Sequence, residues 1–103
     1  MQPFIAEKMD KIADLCIHHK VKNLDLFGSS TSDSFNPNRS DLDFLVEFHK
    51  LPPSQHADAF FGLSEDLANI FAMQIDLVEK QTINNPYLQK AIEQSRVNIY
   101  VES

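Results

Sequence analysis

The segment at residues 24–48 constrains the fold of this chain more than any other part of its sequence. It opens with a short apolar run that stops at Gly28-Ser29, which predicts a strand followed by a turn. After a polar loop, Asp41 and Asp43 begin a second run in which apolar and polar side chains alternate, as in a half-buried strand. Because the side chains of a strand alternate between faces, the two aspartates share one face, about 6.5 Å apart at about 3.3 Å per residue.

Two carboxylates on one face of a strand repel each other, and the repulsion raises the free energy of ionising both. A hard divalent cation removes that cost, and oxygen ligands at this spacing suit Mg²⁺ or Mn²⁺. An Asp-x-Asp pair alone is also typical of a solvated strand edge, so it does not define a site. Here it is accompanied by the Gly28-Ser29 turn, which lets backbone approach a ligand, and by Asp76 in another short apolar run. Together these residues predict a phosphate pocket with metal ligands.

The combined pattern resembles the DNA polymerase β-like nucleotidyltransferase superfamily, and most closely its minimal (MNT-type) nucleotidyltransferase domains. The signature of these domains is an apolar residue before Gly-Ser, then Asp-x-Asp between apolar residues, then a third Asp on a later strand. The matching residues of this chain are Phe27-Gly28-Ser29, Asp41-Leu42-Asp43 and Ile75-Asp76-Leu77. The resemblance extends over nearly the whole chain.

The resemblance implies the chemistry of the site. Asp41, Asp43 and Asp76 would be both catalytic residues and ligands of Mg²⁺ or Mn²⁺, with their carboxylates converging within about 4–5 Å. Gly28 and Ser29 would bind the β- and γ-phosphates of an NTP, with ATP as the expected nucleotide. A hydroxyl acceptor would attack the α-phosphate, and pyrophosphate would leave. Asp76 must then lie on the same sheet face as the aspartate pair.

The resemblance also implies a partner. Minimal domains of this kind are often the antitoxin of a pair whose other member is a helical HEPN-domain toxin, and some transfer AMP to a tyrosine of that toxin. The acceptor would therefore be presented by a HEPN-type toxin or by a second copy of this chain in a homodimer. A stand-alone enzyme acting on a small hydroxylated molecule is a further interpretation.

A different class of function stays open beside the enzyme. The loop after Gly28-Ser29 carries Thr31-Ser32-Asp33, where members of the family often have an Ala-Arg-Gly run. An acid near a triphosphate is unfavourable unless it points away or meets a cation. The alternative is a catalytically weak or silent module that neutralises a partner protein by contact.

The predicted fold class is α+β, a small mixed β-sheet flanked by helices, in a single domain over residues 1–103. The predicted strands are residues 24–27, 41–48 and 74–79, and residues 97–101 alternate as a short final strand or an extended tail. The predicted helices are residues 3–20, 30–35 and 54–72, and a last helix that begins with Asn85 as its cap and Pro86 at its first position.

Four expectations concern packing. The last helix is expected to bury one apolar side that includes Tyr87 and Ile92, and Phe61 is expected to add to the core. Cys16 falls on a predicted apolar helix face, which indicates a buried, inert thiol. His19, at the end of the first helix, is expected to be solvated.

The bulk composition excludes several classes of function. The formal net charge is −6, whereas proteins that grip the phosphate backbone of nucleic acid need a basic surface. The single cysteine rules out an internal disulfide and fits a reducing compartment. No apolar run approaches the about 18 residues of a membrane span. These features predict a cytoplasmic protein with no membrane association.

Overall fold

A computed structural model describes residues 2–31 and 41–102, without the side chains of Ser29 and Ser30. The strands are β1 (Val21–Phe27), β2 (Leu42–Phe48), β3 (Ile75–Glu79) and β4 (Val97–Val101). The helices are α1 (Pro3–Ala6), α2 (Met9–His18), α3 (Pro53–Phe71) and α4 (Pro86–Ser95), with short 3₁₀ turns at Gly28–Thr31 and Lys80–Thr82. None of the helices within these ranges is both long and apolar enough to span a bilayer. Most of the predicted helix at residues 30–35, with Ser32 and Asp33, lies outside the described residues.

The strands form one mixed sheet in the order β3-β2-β1-β4. β1 is antiparallel to both β2 and β4, and β2 is parallel to β3. Antiparallel neighbours can be joined by a loop, but a parallel pair needs a crossover, and α3 is the element that connects β2 to β3. The predicted α+β class and mixed sheet are confirmed. Residues 97–101, left open by the sequence, form an edge strand paired with β1.

One face of the sheet carries the main core. Alternate residues of β1 and β2 turn their side chains to this face, where α1, α2 and α3 cover them. The fully buried side chains among them include Leu24, Leu26, Phe44 and Val46. Cys16 lies in the same core, and burial raises the pKa of its thiol to about 12, as expected for an inert cysteine.

The opposite face is covered only in part, by α4. The predicted cap of this helix is confirmed, because the Asn85 side chain accepts hydrogen bonds from the backbone N–H groups of Tyr87 and Leu88. The predicted burial of its apolar side is confirmed only for Ile92, which is buried, whereas Tyr87 is 86% exposed. Ile92 packs against Phe27 and Leu45 in a small second cluster. Val78 and Ile83 are partly buried against the same cluster.

The predicted first helix, residues 3–20, is two helices. The backbone N–H of Lys8 bonds to the carbonyl of Ile5, three residues back, so the chain makes a tight turn between α1 and α2. His19 is not solvated as expected. Its Nε2 lies 2.7 Å from Asp66 Oδ2, and the ring lies against Gly62, so α2 is tied to α3.

Candidate active site

Asp43 and Asp76 are direct neighbours on the parallel strands β2 and β3. Register partners on adjacent strands point to the same face, about 4.8 Å apart in the hydrogen-bonding direction. Their side chains therefore lie next to each other. The pKa of Asp43 is raised to about 6, first by burial and then by the negative charges of Asp76 and Asp41 beside it. The structure thus brings two of the predicted site residues into contact on the face opposite the main core.

Asp41 lies beside this pair but does not join it. The ladder between β2 and β3 begins where Leu42 N donates to the carbonyl of Gln74, so Asp41 precedes the paired part of its strand and its side chain is exposed. Its charge still contributes to the raised pKa of Asp43. Across residues 2–31 and 41–102, no three acidic, histidine or cysteine side chains are grouped to hold a metal ion. The three carboxylates therefore do not form one cluster in this structure, and their convergence around a cation stays a prediction.

Gly28 packs directly against Asp43. It follows β1, whose last residue, Phe27, is the register partner of Asp43 across the antiparallel pair. Its φ of +77° lies in the left-handed region that favours glycine. A Cβ placed on Gly28 would lie 2.5 Å from Asp43 Oδ2, so a side chain at this position would displace the carboxylate. The turn can therefore pack this closely against the acidic pair because Gly28 has no side chain.

Ser95, at the end of α4, binds this turn through a hydrogen bond. No local sequence pattern predicts this contact. The backbone N–H of Gly28 donates to Ser95 Oγ at 3.0 Å, and Ser95 Oγ donates to the carbonyl of Ala91 at 2.9 Å. Thr31 Oγ1 adds a bond to the carbonyl of Gly28 at 2.8 Å. Sequence reasoning placed Gly28 at a phosphate, whereas its N–H is bonded to the last residue of α4. The backbone of Ser29 follows in the same 3₁₀ turn, and its side chain lies outside the described atoms.

A cleft of about 860 Å³ opens beside the acidic pair. It lies between α3 and the start of β3, and both Asp41 and Asp76 line it. Phe61 also lines it and is 69% exposed, so the expectation that this aromatic adds to the core is wrong. The remaining lining residues are Ser64, Glu65, Ala68, Ala72, Met73, Gln74 and Ile75.

The residues present fit a hard divalent cation. The donor set is made of carboxylate oxygens, which Mg²⁺ and Mn²⁺ prefer over sulfur and nitrogen. Burial and the charges of Asp76 and Asp41 disfavour ionisation of Asp43, and a bound cation would remove that penalty. The glycine turn against Asp43 leaves space for ligands around the carboxylate that a larger residue would fill.

The family model of the nucleotidyltransferase domain matches residues 9–99. The chain belongs to the nucleotidyltransferase family. Gly28, Asp43 and Asp76, described above, all fall within this match. The chain is accordingly a nucleotidyltransferase enzyme.

Sequence relatives agree with this assignment. The chain is 36% identical over 81 residues to a protein of Methanocaldococcus jannaschii provisionally named protein adenylyltransferase MJ0128, a match that covers 79% of each chain. It is 33% identical over 81 residues, again 79% of each chain, to MJ1379 of the same organism, which has the same provisional name.

Solved structures share the fold at lower identity. A structure of a toxin–antitoxin with AMP-PNP superposes with a TM-score of 0.69 at 22% identity, over 92% of this chain and 74% of that chain. The complex of tri-AMPylated Shewanella oneidensis HEPN toxin with MNT antitoxin gives 0.65 at 20% identity, over 95% and 73%. A minimal nucleotidyltransferase gives 0.64 at 22% identity, over 89% of both chains. At these identities the likeness establishes the fold of the nucleotidyltransferase domain.

Proposed function

We propose that this nucleotidyltransferase transfers AMP from ATP to a hydroxyl group of a partner protein, namely a tyrosine of a HEPN-type toxin, and so acts as an antitoxin. The observation that carries the proposal is the contact between Asp43 and Asp76 beside the Gly28 turn. The provisional names of the sequence relatives support adenylyl transfer to protein. The complex of an AMPylated HEPN toxin with an MNT antitoxin supports the partner.

Asp41, Asp43 and Asp76 would hold Mg²⁺, or Mn²⁺ in its place. When bound, the metal neutralises charge on the triphosphate and on the oxygens that attack and leave. Asp43 contributes a carboxylate whose ionisation is disfavoured without a cation, so its affinity for a divalent ion is coupled to the loss of a proton. Asp41 contributes an exposed carboxylate that is free to turn toward an arriving cation.

The transfer itself needs few groups of the protein. The hydroxyl oxygen of the acceptor attacks the α-phosphorus of ATP, a new oxygen–phosphorus bond forms, and the bond to the β-phosphate breaks to release pyrophosphate. Asp76, exposed to the cleft, accepts the hydroxyl proton. The turn at Gly28 and Ser29 would bind the β- and γ-phosphates through groups other than the Gly28 N–H, which donates to Ser95 Oγ. Most of the rate then comes from positioning and charge neutralisation, without a covalent enzyme intermediate.

Two measurements test the proposal. MgATP should raise the melting temperature of the protein, since a ligand that binds only the folded state stabilises it. Incubation with ATP labelled at the α-phosphate should transfer the label to a purified HEPN-domain partner. Both effects should disappear in Asp41→Asn/Asp43→Asn and persist in Asp58→Asn, which changes an exposed acid of α3 outside the cleft.

Three results together would contradict the transferase proposal. If MgATP at millimolar concentration leaves the melting temperature unchanged, no label is transferred, and the double aspartate variant still binds the partner, the transferase proposal is wrong. The module that neutralises its partner by contact would then be the function.

A further inference from the structure

The candidate active site has two distinct sides, which follow from the strand order. β2, which carries Asp43, lies between β1 and β3 in the sheet. Gly28 follows β1 and packs against Asp43 from that side. Asp76 belongs to β3 and flanks Asp43 from the other side. A molecule bound across the site therefore contacts the glycine turn at one end and β3 at the other.

The geometry of phosphoryl transfer determines which side holds the leaving group and which side receives the acceptor. The attacking and leaving oxygens lie roughly in line on opposite sides of the phosphorus atom. With the β- and γ-phosphates at the Gly28 turn, as in the proposed function, the leaving pyrophosphate occupies the β1 side. The acceptor hydroxyl must then arrive from the β3 side, where Asp41 and Asp76 line the cleft of about 860 Å³.

The walls of this cleft define what can enter it. Three carboxylates line it, those of Asp41, Glu65 and Asp76, and none of its described lining residues is a lysine or arginine. Its apolar wall includes Phe61, which is 69% exposed. The ring of Phe61 also contacts that of Phe60, with 5.4 Å between the ring centroids. The volume lies within the about 300–1,000 Å³ typical of ligand pockets, enough for a side chain together with its neighbours.

We propose that this cleft is the acceptor site, and that it takes a polypeptide segment in which the hydroxyl-bearing residue is flanked by lysine or arginine. The inference rests on the proposed function and adds the chemistry of the acceptor to it. A tyrosine ring entering the cleft packs against Phe61, where an aromatic pair is favourable. Glu65 selects the basic neighbour, since the two aspartates are engaged by the nucleotide and its cation. An acidic segment would be rejected because like charges repel in the cleft.

Short synthetic peptides test this proposal directly. One peptide carries a central tyrosine flanked by lysines, a second the same tyrosine flanked by glutamates, and a third replaces the tyrosine of the first by phenylalanine. With the full chain, Mg²⁺ and labelled ATP, kcat/KM for the lysine-flanked tyrosine should exceed that for the glutamate-flanked one by about fivefold or more. The phenylalanine peptide should take no label.

Variants of the cleft distinguish selection from general charge attraction. Glu65→Lys should lower or invert the preference for the lysine-flanked peptide, and Asp58→Lys, which makes the same charge change on α3 outside the cleft, should leave it intact. Phe61→Ala should raise KM for the peptide while KM for ATP stays within about twofold of the wild type. These three variants change exposed residues, so each is expected to fold.

The failures of the two proposals are separable by nucleotide binding. Equal labelling of the two tyrosine peptides, or an unchanged preference in Glu65→Lys, overturns the acceptor site and leaves the transferase. A protein that binds MgATP but labels none of the peptides overturns the acceptor site as well. A protein that neither binds MgATP nor labels any acceptor overturns the proposed function, and the acceptor site with it.

Discussion

Asp43 and Asp76 face each other across the parallel pair β2 and β3, and the charge of Asp76 adds to the burial that raises the pKa of Asp43 to about 6. Below this pH the carboxyl group of Asp43 holds a proton more often than not. A divalent cation bound at Asp43, as in the proposed function, would compete with this proton for the same oxygens. Metal binding should therefore be stronger above the pKa of Asp43 than below it.

The first prediction concerns pH and stability without metal. Because the pKa of Asp43 is about 6 in the folded protein and about 3.9 in an unfolded chain, the folded state holds the extra proton between these values. The contribution of Asp43 to stability is thus fully present below about pH 4 and is lost as the pH rises through about 6. In EDTA, Asp43→Asn should raise the melting temperature more at pH 7.5 than at pH 5, and Asp58→Asn should show no such difference. A gain that is the same at both pH values would contradict the assignment.

The second prediction separates activity from stability. Asp41→Ala and Asp43→Ala should abolish transfer yet leave the metal-free protein as stable as the wild type or more so, because each removes one of several repelling carboxylates. Phe44→Ala should do the reverse and lower the free energy of unfolding by about 3–5 kcal/mol, since its fully buried ring leaves a cavity. Denaturant unfolding in EDTA measures both effects. A large loss of stability in Asp43→Ala would show that this aspartate is structural.

The third prediction concerns the fit of the glycine turn. Gly28→Ala should lower both stability and transfer, because the new methyl group meets Asp43 Oδ2 and the backbone stays at positive φ. Adding Asp43→Ala removes the atom that the methyl group meets. The double variant should therefore lose less stability than the sum of a Gly28→Ala loss and the Asp43→Ala effect, as a double-mutant cycle would measure. If the two stability changes simply add, the methyl group of Gly28→Ala does not clash with Asp43 in the variant.

The fourth prediction concerns the tie between α4 and the turn. Ser95→Ala removes the acceptor of the Gly28 N–H and should cost about 1 kcal/mol of stability, and it should weaken MgATP binding. Ser95→Thr keeps the hydroxyl and should retain most of the stability and most of the affinity for MgATP. Gln94→Ala, at the exposed neighbouring position, is the matched control. Tighter MgATP binding in Ser95→Ala would instead mean that the serine competes with phosphate for the glycine N–H.

Local sequence pattern was enough to place Asp43 and Asp76 on strands. The alternation around Asp43 and the apolar run around Asp76 each predicted a strand, whereas Asp41 falls one residue before β2. That Asp43, and not Asp41, is the partner of Asp76 depends on strand register, which is set by tertiary hydrogen bonds between β2 and β3. Periodicity carries no information about which residue of another strand stands opposite.

The burial predictions that failed, for Phe61 and for most of the apolar side of α4, have the same physical cause. The apolar side of α4 and the ring of Phe61 have helical spacing, which predicts burial, but spacing does not say whether a complementary apolar surface exists. Ile92 is the residue of α4 that reaches the small apolar cluster of Phe27 and Leu45, and Tyr87 stays exposed. Ser95 lies far from Gly28 in the sequence, and no local pattern marks the hydrogen bond that joins them.

The parallel pairing of β2 with β3 has a consequence for synthesis of the protein. A ribosome releases Gly28 and Asp43 first, and the whole of α3 must follow before Asp76 can reach its place beside them. Such a long-range pairing forms late, because the entropy of closing the intervening loop is lost before the strand contacts are gained. A nascent chain that has not yet closed this crossover has the glycine turn and the first carboxylates, but not the acid that faces the cleft. Any nucleotidyl transfer that depends on Asp76 therefore needs the complete β2–α3–β3 unit.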